Sequence, residues 1–194
     1  QGTFIELTSG PRSAGFMLTH ELEQKHAVAL IHDWTQHIGF KLDHNEDQNP
    51  LIAYTSEWQG TQAYIDAISA MNMTEPALLV VKDFADLDIS NLPKNVKVLK
   101  TKGIPHEVVR AFIQESKIAP LVTGDTSFGQ ALSSVRPSKT FVYEAPDWKL
   151  DSARATKQAL TTDLGLSKQA LLPMFLNANT LKKLDRKKIK IVGQ

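Results

Sequence analysis

The apolar positions of the chain follow two patterns. Ala27, Leu30, Ile31, Trp34 and Ile38 recur at helical spacing and predict an amphipathic helix. Thr19 is placed to cap it. Glu21 and Glu23 fall in its first turn, where carboxylates suit the helix dipole, and Gly39 stands where a C-terminal cap is expected. A polar loop, KLDHNEDQNP, follows. From there short apolar runs alternate with helical segments. LIAYT (Leu51–Thr55), ALLVV (Ala77–Val81), NVKVLKT (Asn95–Thr101), IAPLVT (ending at Thr123) and KTFVYE (Lys139–Glu144) read as strands. Pro120 places the fourth at a strand start or an edge. GTQAYIDAISAMN, PHEVVRAFIQES and SFGQALSS read as helices between them, and Pro105 suits a first helical turn.

Such an alternation implies right-handed crossovers and a parallel sheet covered on both faces. The predicted fold class is therefore α/β. It is a Rossmann-like three-layer sandwich with a mainly parallel sheet of about five to six strands, followed by C-terminal helices. Those helices are read from DSARATKQAL, SKQALLPMFLNAN (kinked or split at Pro173) and TLKKLDRKK. Residues 1–18 form an opening and hinge segment punctuated by Gly10-Pro11 and Gly15. Residues 19–150 form the Rossmann-like unit, and residues 151–194 pack on it or extend it. Gln1-Gly2 reads as the remnant of a cleaved tag, and the chain as a piece excised from a longer protein.

Composition narrows this little. Hydrophobic residues make up 42% and charged residues 22%, as in globular domains. No apolar run approaches the roughly 20 residues of a membrane span. The chain has no cysteine, which removes disulfides and thiolate metal sites. His20, His26, His32, His37, His44 and His106 never stand four apart, so no helical metal pair is expected. Charge is uneven. The tail Leu181–Gln194 carries six Lys or Arg and one Asp, which leaves 16 basic and 20 acidic residues elsewhere. Such a tail is either a solvated helix or an attractor for phosphate, nucleic acid, lipid or an acidic protein.

In open parallel sheets ligands bind beyond the carboxyl ends of the strands. Those ends are Thr55-Ser56-Glu57, Lys82-Asp83, Thr101-Lys102-Gly103, Thr123 through Ser127, and Tyr143-Glu144. Gly124 through Phe128 combines a glycine, which lets backbone come close, with a helix N-terminus, which attracts phosphate. An ordinary capped turn would use the same residues. There is no Walker lysine motif and no GxGxxG fingerprint.

The stretch VTGDTSFGQALSSVRPSKTFVYE resembles the donor-binding segment of glycosyltransferases with two facing Rossmann-like domains, the GT-B fold. The family's strand, glycine with small polar residues, Glu-Ala-Leu-like helix element, Gly-x-Pro and following strand have counterparts here. They are Thr123-Gly124-Asp125, Thr126-Ser127, Gln130-Ala131-Leu132, Arg136-Pro137 and Phe141-Val142-Tyr143. The element order from Leu51 to Glu144 matches the family's C-terminal half, and the resemblance covers roughly residues 10–160. Three positions depart from it. Gln130 stands where a glutamate often touches the donor ribose, Val135 replaces a glycine, and the Glu-x7-Glu arrangement is missing. Retention or inversion is therefore not assigned.

The resemblance implies glycosyl transfer from a nucleoside-diphosphate sugar, GDP- or UDP-linked, without a metal ion or other cofactor. It implies that amides around Thr126, Ser127 and Phe128, with Gly124 and Asp125, hold the diphosphate and sugar. Asp125 would have to face sugar hydroxyls, a metal or a backbone cap. Ser56, Glu57 and Arg12 would line the same cleft, and Arg12 could instead pair with a surface acid. Thr101, Lys102, Gly103 and Gln130 would read the base and ribose. Tyr143 and Glu144 would complete the rim, and Trp148 would stack or pack against the last helices. The catalytic residues stay unassigned, since an N-terminal GT-B domain of the same polypeptide would supply them. The acceptor would be a protein if the chain belongs to a bacterial effector, acting in the cytoplasm or, after secretion, in a host cytosol. Two other readings stand beside this one: a sugar-nucleotide epimerase of similar fold, and a non-catalytic interaction module that docks through the basic tail.

Overall fold

The computed structural model describes residues 21–40, 49–134, 141–145, 151 and 175–176. Its strands are β1 (Asn49–Ala53), β2 (Ala77–Lys82), β3 (Val96–Thr101), β4 (Leu121–Thr123), β5 (Val142–Glu144) and β6 (Phe175–Leu176). Its helices are α1 (Gln24–His37), α2 (Trp58–Ala70), α3 (His106–Glu115) and α4 (Asp125–Ser134). The strands form one sheet in the order β3-β2-β1-β4-β5-β6, with every pairing parallel. This is the α/β Rossmann-like, three-layer architecture expected from the alternation.

The sheet is buried on both faces. Leu51, Ile52, Ala53, Leu79, Val80, Val81, Leu121 and Val122 have no exposed surface, which is why these strands read as continuous apolar runs. Alternate residues serve opposite layers. Ile52, Leu78, Val80, Leu99 and Val122 pack with α1, α3 and α4. Leu51, Ala53, Leu79, Val81, Leu121 and Val142 pack with α2 through Tyr64, Ile65 and Ile68. The chain steps from β1 to β2 in one direction with α2 on one face. It steps from β4 to β5 in the other direction with α4 on the opposite face, as a single crossover hand requires. At the centre of the first layer Phe112 is fully buried, edge-on to Trp34 at 6.2 Å.

Three expectations need correction. Helix α1 starts at Gln24, with Glu23 as its N-cap, so neither Glu21 nor Glu23 lies in its first turn. The reason is a tether. The buried Gln114 amide of α3 accepts from the Leu22 N–H at 2.8 Å and donates to the Leu22 carbonyl at 2.8 Å, so that carbonyl is engaged outside the helix. The other end of α1 is as expected. Gly39, at φ +77°, donates to Gln36 and Phe40 donates to Thr35, the paired bonds of a Schellman cap. Second, β4 begins after Pro120 rather than before it. Pro120 has no N–H to give, but its carbonyl accepts from Val142 at 2.8 Å. Third, Phe175–Leu176 lie in a strand pairing with β5, not in a helix. Pro173 stands two residues before that strand, and within the segment 151–194 residues 175 and 176 add to the sheet. Thr19, the loop residues 41–48 and the tail Leu181–Gln194 lie outside the described residues, as do all but residues 151, 175 and 176 of the three C-terminal helical segments.

The two ends of the sheet differ. At the amino end, the side-chain amides of the buried Asn49 and the half-buried Asn95 tie the loops. Asn49 accepts from the Lys117 N–H at 3.1 Å, and Asn95 donates to the carbonyls of Met73 and Glu75 at 2.8 and 2.7 Å. At the carboxyl end β1 and β4 separate. Their register contact is Ala53 opposite Leu121, Tyr54 donates to the Leu121 carbonyl at 2.8 Å, and β4 then runs on to Thr123 beside β5. The strand order reverses here, so this is the crevice where a ligand is expected.

Candidate functional site

Two strand-to-helix junctions flank the crevice. In the first, β1 passes through Tyr54–Glu57 into α2. The buried Thr55 hydroxyl donates to the Glu57 carbonyl at 2.8 Å and lies 2.7 Å from the buried Thr61 hydroxyl, which fixes the turn. The turn points the N–H groups of Ser56 and Glu57 at one target, the carboxylate of Glu144 at the end of β5. Ser56 donates to Oε2 at 2.6 Å and Glu57 donates to Oε1 at 3.2 Å. Unsatisfied amides at a helix start attract negative charge, and here the protein supplies that charge itself. Gly60 makes the seat possible. A Cβ on it would lie 2.8 Å from Glu144 Oε1 and 3.3 Å from Thr55 Cγ2.

Glu144 and Tyr143 are therefore not rim residues. They are 2% and 5% exposed. Glu144 shares strand parity with Val142, so it faces the α2 layer. Tyr143 faces the other layer and packs edge-on to Phe128 at 5.0 Å. Burial raises the Glu144 pKa above its ordinary value. The amides of Ser56 and Glu57 and the Thr123 hydroxyl oppose that shift, and the nearby Glu57 charge adds to it.

In the second junction Gly124 adopts φ +85° and α4 starts at the next residue. The left-handed conformation costs glycine nothing, and a Cβ there would meet no atom of the described residues within 4 Å. Thr126 and Ser127 fall in the first turn, whose amides have no intrahelical acceptor. Thr126 is exposed and Ser127 is 8% exposed. Phe128 does not offer its amide, because that N–H donates to the Gly124 carbonyl at 3.0 Å as the first bond of the helix ladder. Its ring is buried against Phe141 at 5.3 Å. Asp125 is the first residue of α4. The Thr123 hydroxyl bridges the two junctions, donating to the Glu144 carbonyl at 3.0 Å and lying 3.5 Å from the exposed Ser56 hydroxyl.

The remaining expected residues lie apart. Thr101, Lys102 and Gly103 follow β3, three strand positions from β4 and thus about 14 Å away at the usual spacing. Thr101 folds onto its own loop, donating to the Gly103 carbonyl at 2.9 Å, while Lys102 is exposed. Gln130 is only 2% exposed. Its amide nitrogen sits 3.0 Å from Nε2 of His106, the first residue of α3, and its Oε1 has no partner among the described residues. Arg12 and Trp148 lie outside the described residues. The structure thus brings together Ser56, Glu57, Thr123, Gly124, Thr126 and Ser127, while Gln130 joins the β3 side through His106.

Two contributors escaped the sequence reading, Glu144 as a cap and His106 as the partner of Gln130. For Glu144 a signal exists. Its parity with Val142 aims it at the α2 layer, and a glycine three residues into α2 marks a close approach. No group of three or more metal-ligating side chains gathers among the described residues, and no helix among them is long and apolar enough to cross a membrane. No protein-family model matches the chain, and no curated protein matches it in sequence.

Proposed function

We propose that the chain is the donor-binding domain of a GT-B type glycosyltransferase. On this reading it holds a nucleoside-diphosphate sugar over the carboxyl end of its sheet. The observation that carries the reading is the β4–α4 junction. At the point where strand order reverses, a glycine at φ +85° ends a strand and a ten-residue helix starts at once. First-turn amides and the positive end of the helix dipole then face the crevice and suit a diphosphate. The same groups favour the charge that builds on the diphosphate as the glycosidic bond breaks. The Ser56 hydroxyl beside them can donate to or accept from a sugar hydroxyl, the Thr123 oxygen can accept from one, and the loop after β3 would read the base. The acceptor and the catalytic base belong to a facing domain, so the chain alone binds donor and turns over poorly.

The test is thermal unfolding of the chain with GDP, UDP and ADP at two salt concentrations. A ligand at 100 times its Kd stabilises by about 2.7 kcal/mol, which is readily seen. The reading predicts stabilisation by one of these diphosphates, retained at high salt. Stabilisation by none contradicts it. Equal stabilisation by every polyanion, lost with salt, assigns the effect to the basic tail.

A further inference from the structure

We infer that Glu144 sets the anion selectivity of the crevice: its carboxylate fills the anion position at the N-terminus of α2, so phosphate is excluded from the β1 side and held on the β4–α4 side alone. The inference rests on the donor reading for whose phosphate that is, but not for the exclusion.

The geometry is that of an occupied anion site. Two converging amides, Ser56 and Glu57, meet two oxygens of one carboxylate at 2.6 and 3.2 Å. The site is built from three directions. The Thr55–Thr61 hydroxyl contact at 2.7 Å fixes the turn, and Gly60 leaves room that a Cβ would fill. The end of β5 delivers a side chain 2% exposed. An arriving phosphate would have to displace a charge-assisted pair of hydrogen bonds and strand the carboxylate in the protein interior. Both steps are costly. The exposed Glu57 carboxylate adds repulsion at the same place. At the β4–α4 junction the first-turn amides of Thr126 and Ser127 follow a glycine whose Cβ position meets no atom of the described residues. A ligand carrying both phosphate and sugar is thereby given a direction across the crevice.

The experiment is an amide chemical-shift titration of the full chain with inorganic pyrophosphate, on wild type, Glu144→Ala and Gly60→Ala. Gly60→Ala pushes the carboxylate from its seat without removing it, so it carries the comparison should Glu144→Ala fail to fold. In wild type the Ser56 and Glu57 amides stay unmoved. In either variant they respond to pyrophosphate, with affinity at least about tenfold above any wild-type response at those two amides. Ser56 and Glu57 shifts in wild type would overturn the inference, as would folded variants that gain no response there. Shifts at Thr126 and Ser127 report separately on the donor reading. Their absence beside a gain at Ser56 and Glu57 would sink that reading and leave the exclusion standing.

Discussion

The β1–α2 and β4–α4 junctions share a plan and differ in how they are finished. Each ends a buried parallel strand at the crevice and starts a helix of ten residues or more. At β1–α2 the first amides are answered from within by Glu144, and the turn is locked by Thr55 and Thr61. At β4–α4 a glycine at φ +85° opens the backbone, and the ladder begins only at Phe128. The first junction has been spent on stability. The second keeps its polar groups at the crevice. Strand-to-helix turns of similar composition can thus differ in whether a third element reaches in to answer their first amides.

Breaking the first junction should cost most. Glu144→Ala strands two amides and leaves a cavity, and a loss of about 3 kcal/mol is expected in urea unfolding. A loss below about 1 kcal/mol would mean that water or another group already serves those amides. Gly60→Ala should cost about 2 kcal/mol by crowding the Glu144 carboxylate. The double variant should lose clearly less than the two single losses combined, because the added methyl then occupies the vacated space. At the second junction Gly124→Ala should cost about 1 kcal/mol. Its Cβ meets nothing among the described residues, so backbone strain is what is at stake. A larger loss would reveal packing at that turn.

Smaller effects sharpen the same contrast. The Tyr64 hydroxyl on α2 is buried without a partner among the described residues, and burial raises its pKa. Tyr64→Phe should therefore be neutral or stabilising by up to about 1 kcal/mol. The pH dependence of Glu144 has a definite sign. Its folded pKa is raised, chiefly by burial, so the folded state holds the proton more tightly than the unfolded chain. The associated stability is present below the ordinary value of 4.5 and is lost as pH rises through the raised one. Measured against Glu144→Gln, wild type should lose relative stability as pH climbs from that value. A relative gain over this range would place the folded pKa on the other side of 4.5.

Much of the frame was legible in the chain. Runs such as Ala77–Val81 are apolar throughout because both faces are covered, and the spacing of Val108, Val109, Phe112 and Ile113 gives α3 one buried side. The misses share a cause: a distant partner overrode a local preference. Gln114, 92 residues from Leu22, delays the start of α1. β5 draws Phe175–Leu176 into the sheet, where a short apolar run fits strand or helix equally well. Glu144 looks like a solvent-facing strand end, yet the amides of Ser56 and Glu57 receive it from 88 and 87 residues away. At the crevice itself the expected loops do meet, but the sequence could not show which of them had already found an anion.

Hydrogen–deuterium exchange of the full chain with and without saturating GDP or UDP tests the central claim most directly. The account predicts slowed exchange over Leu121–Phe128 with one of the two nucleotides and no change at Ser56 and Glu57. Protection confined to the basic tail, or none along β4 and the start of α4, would contradict it.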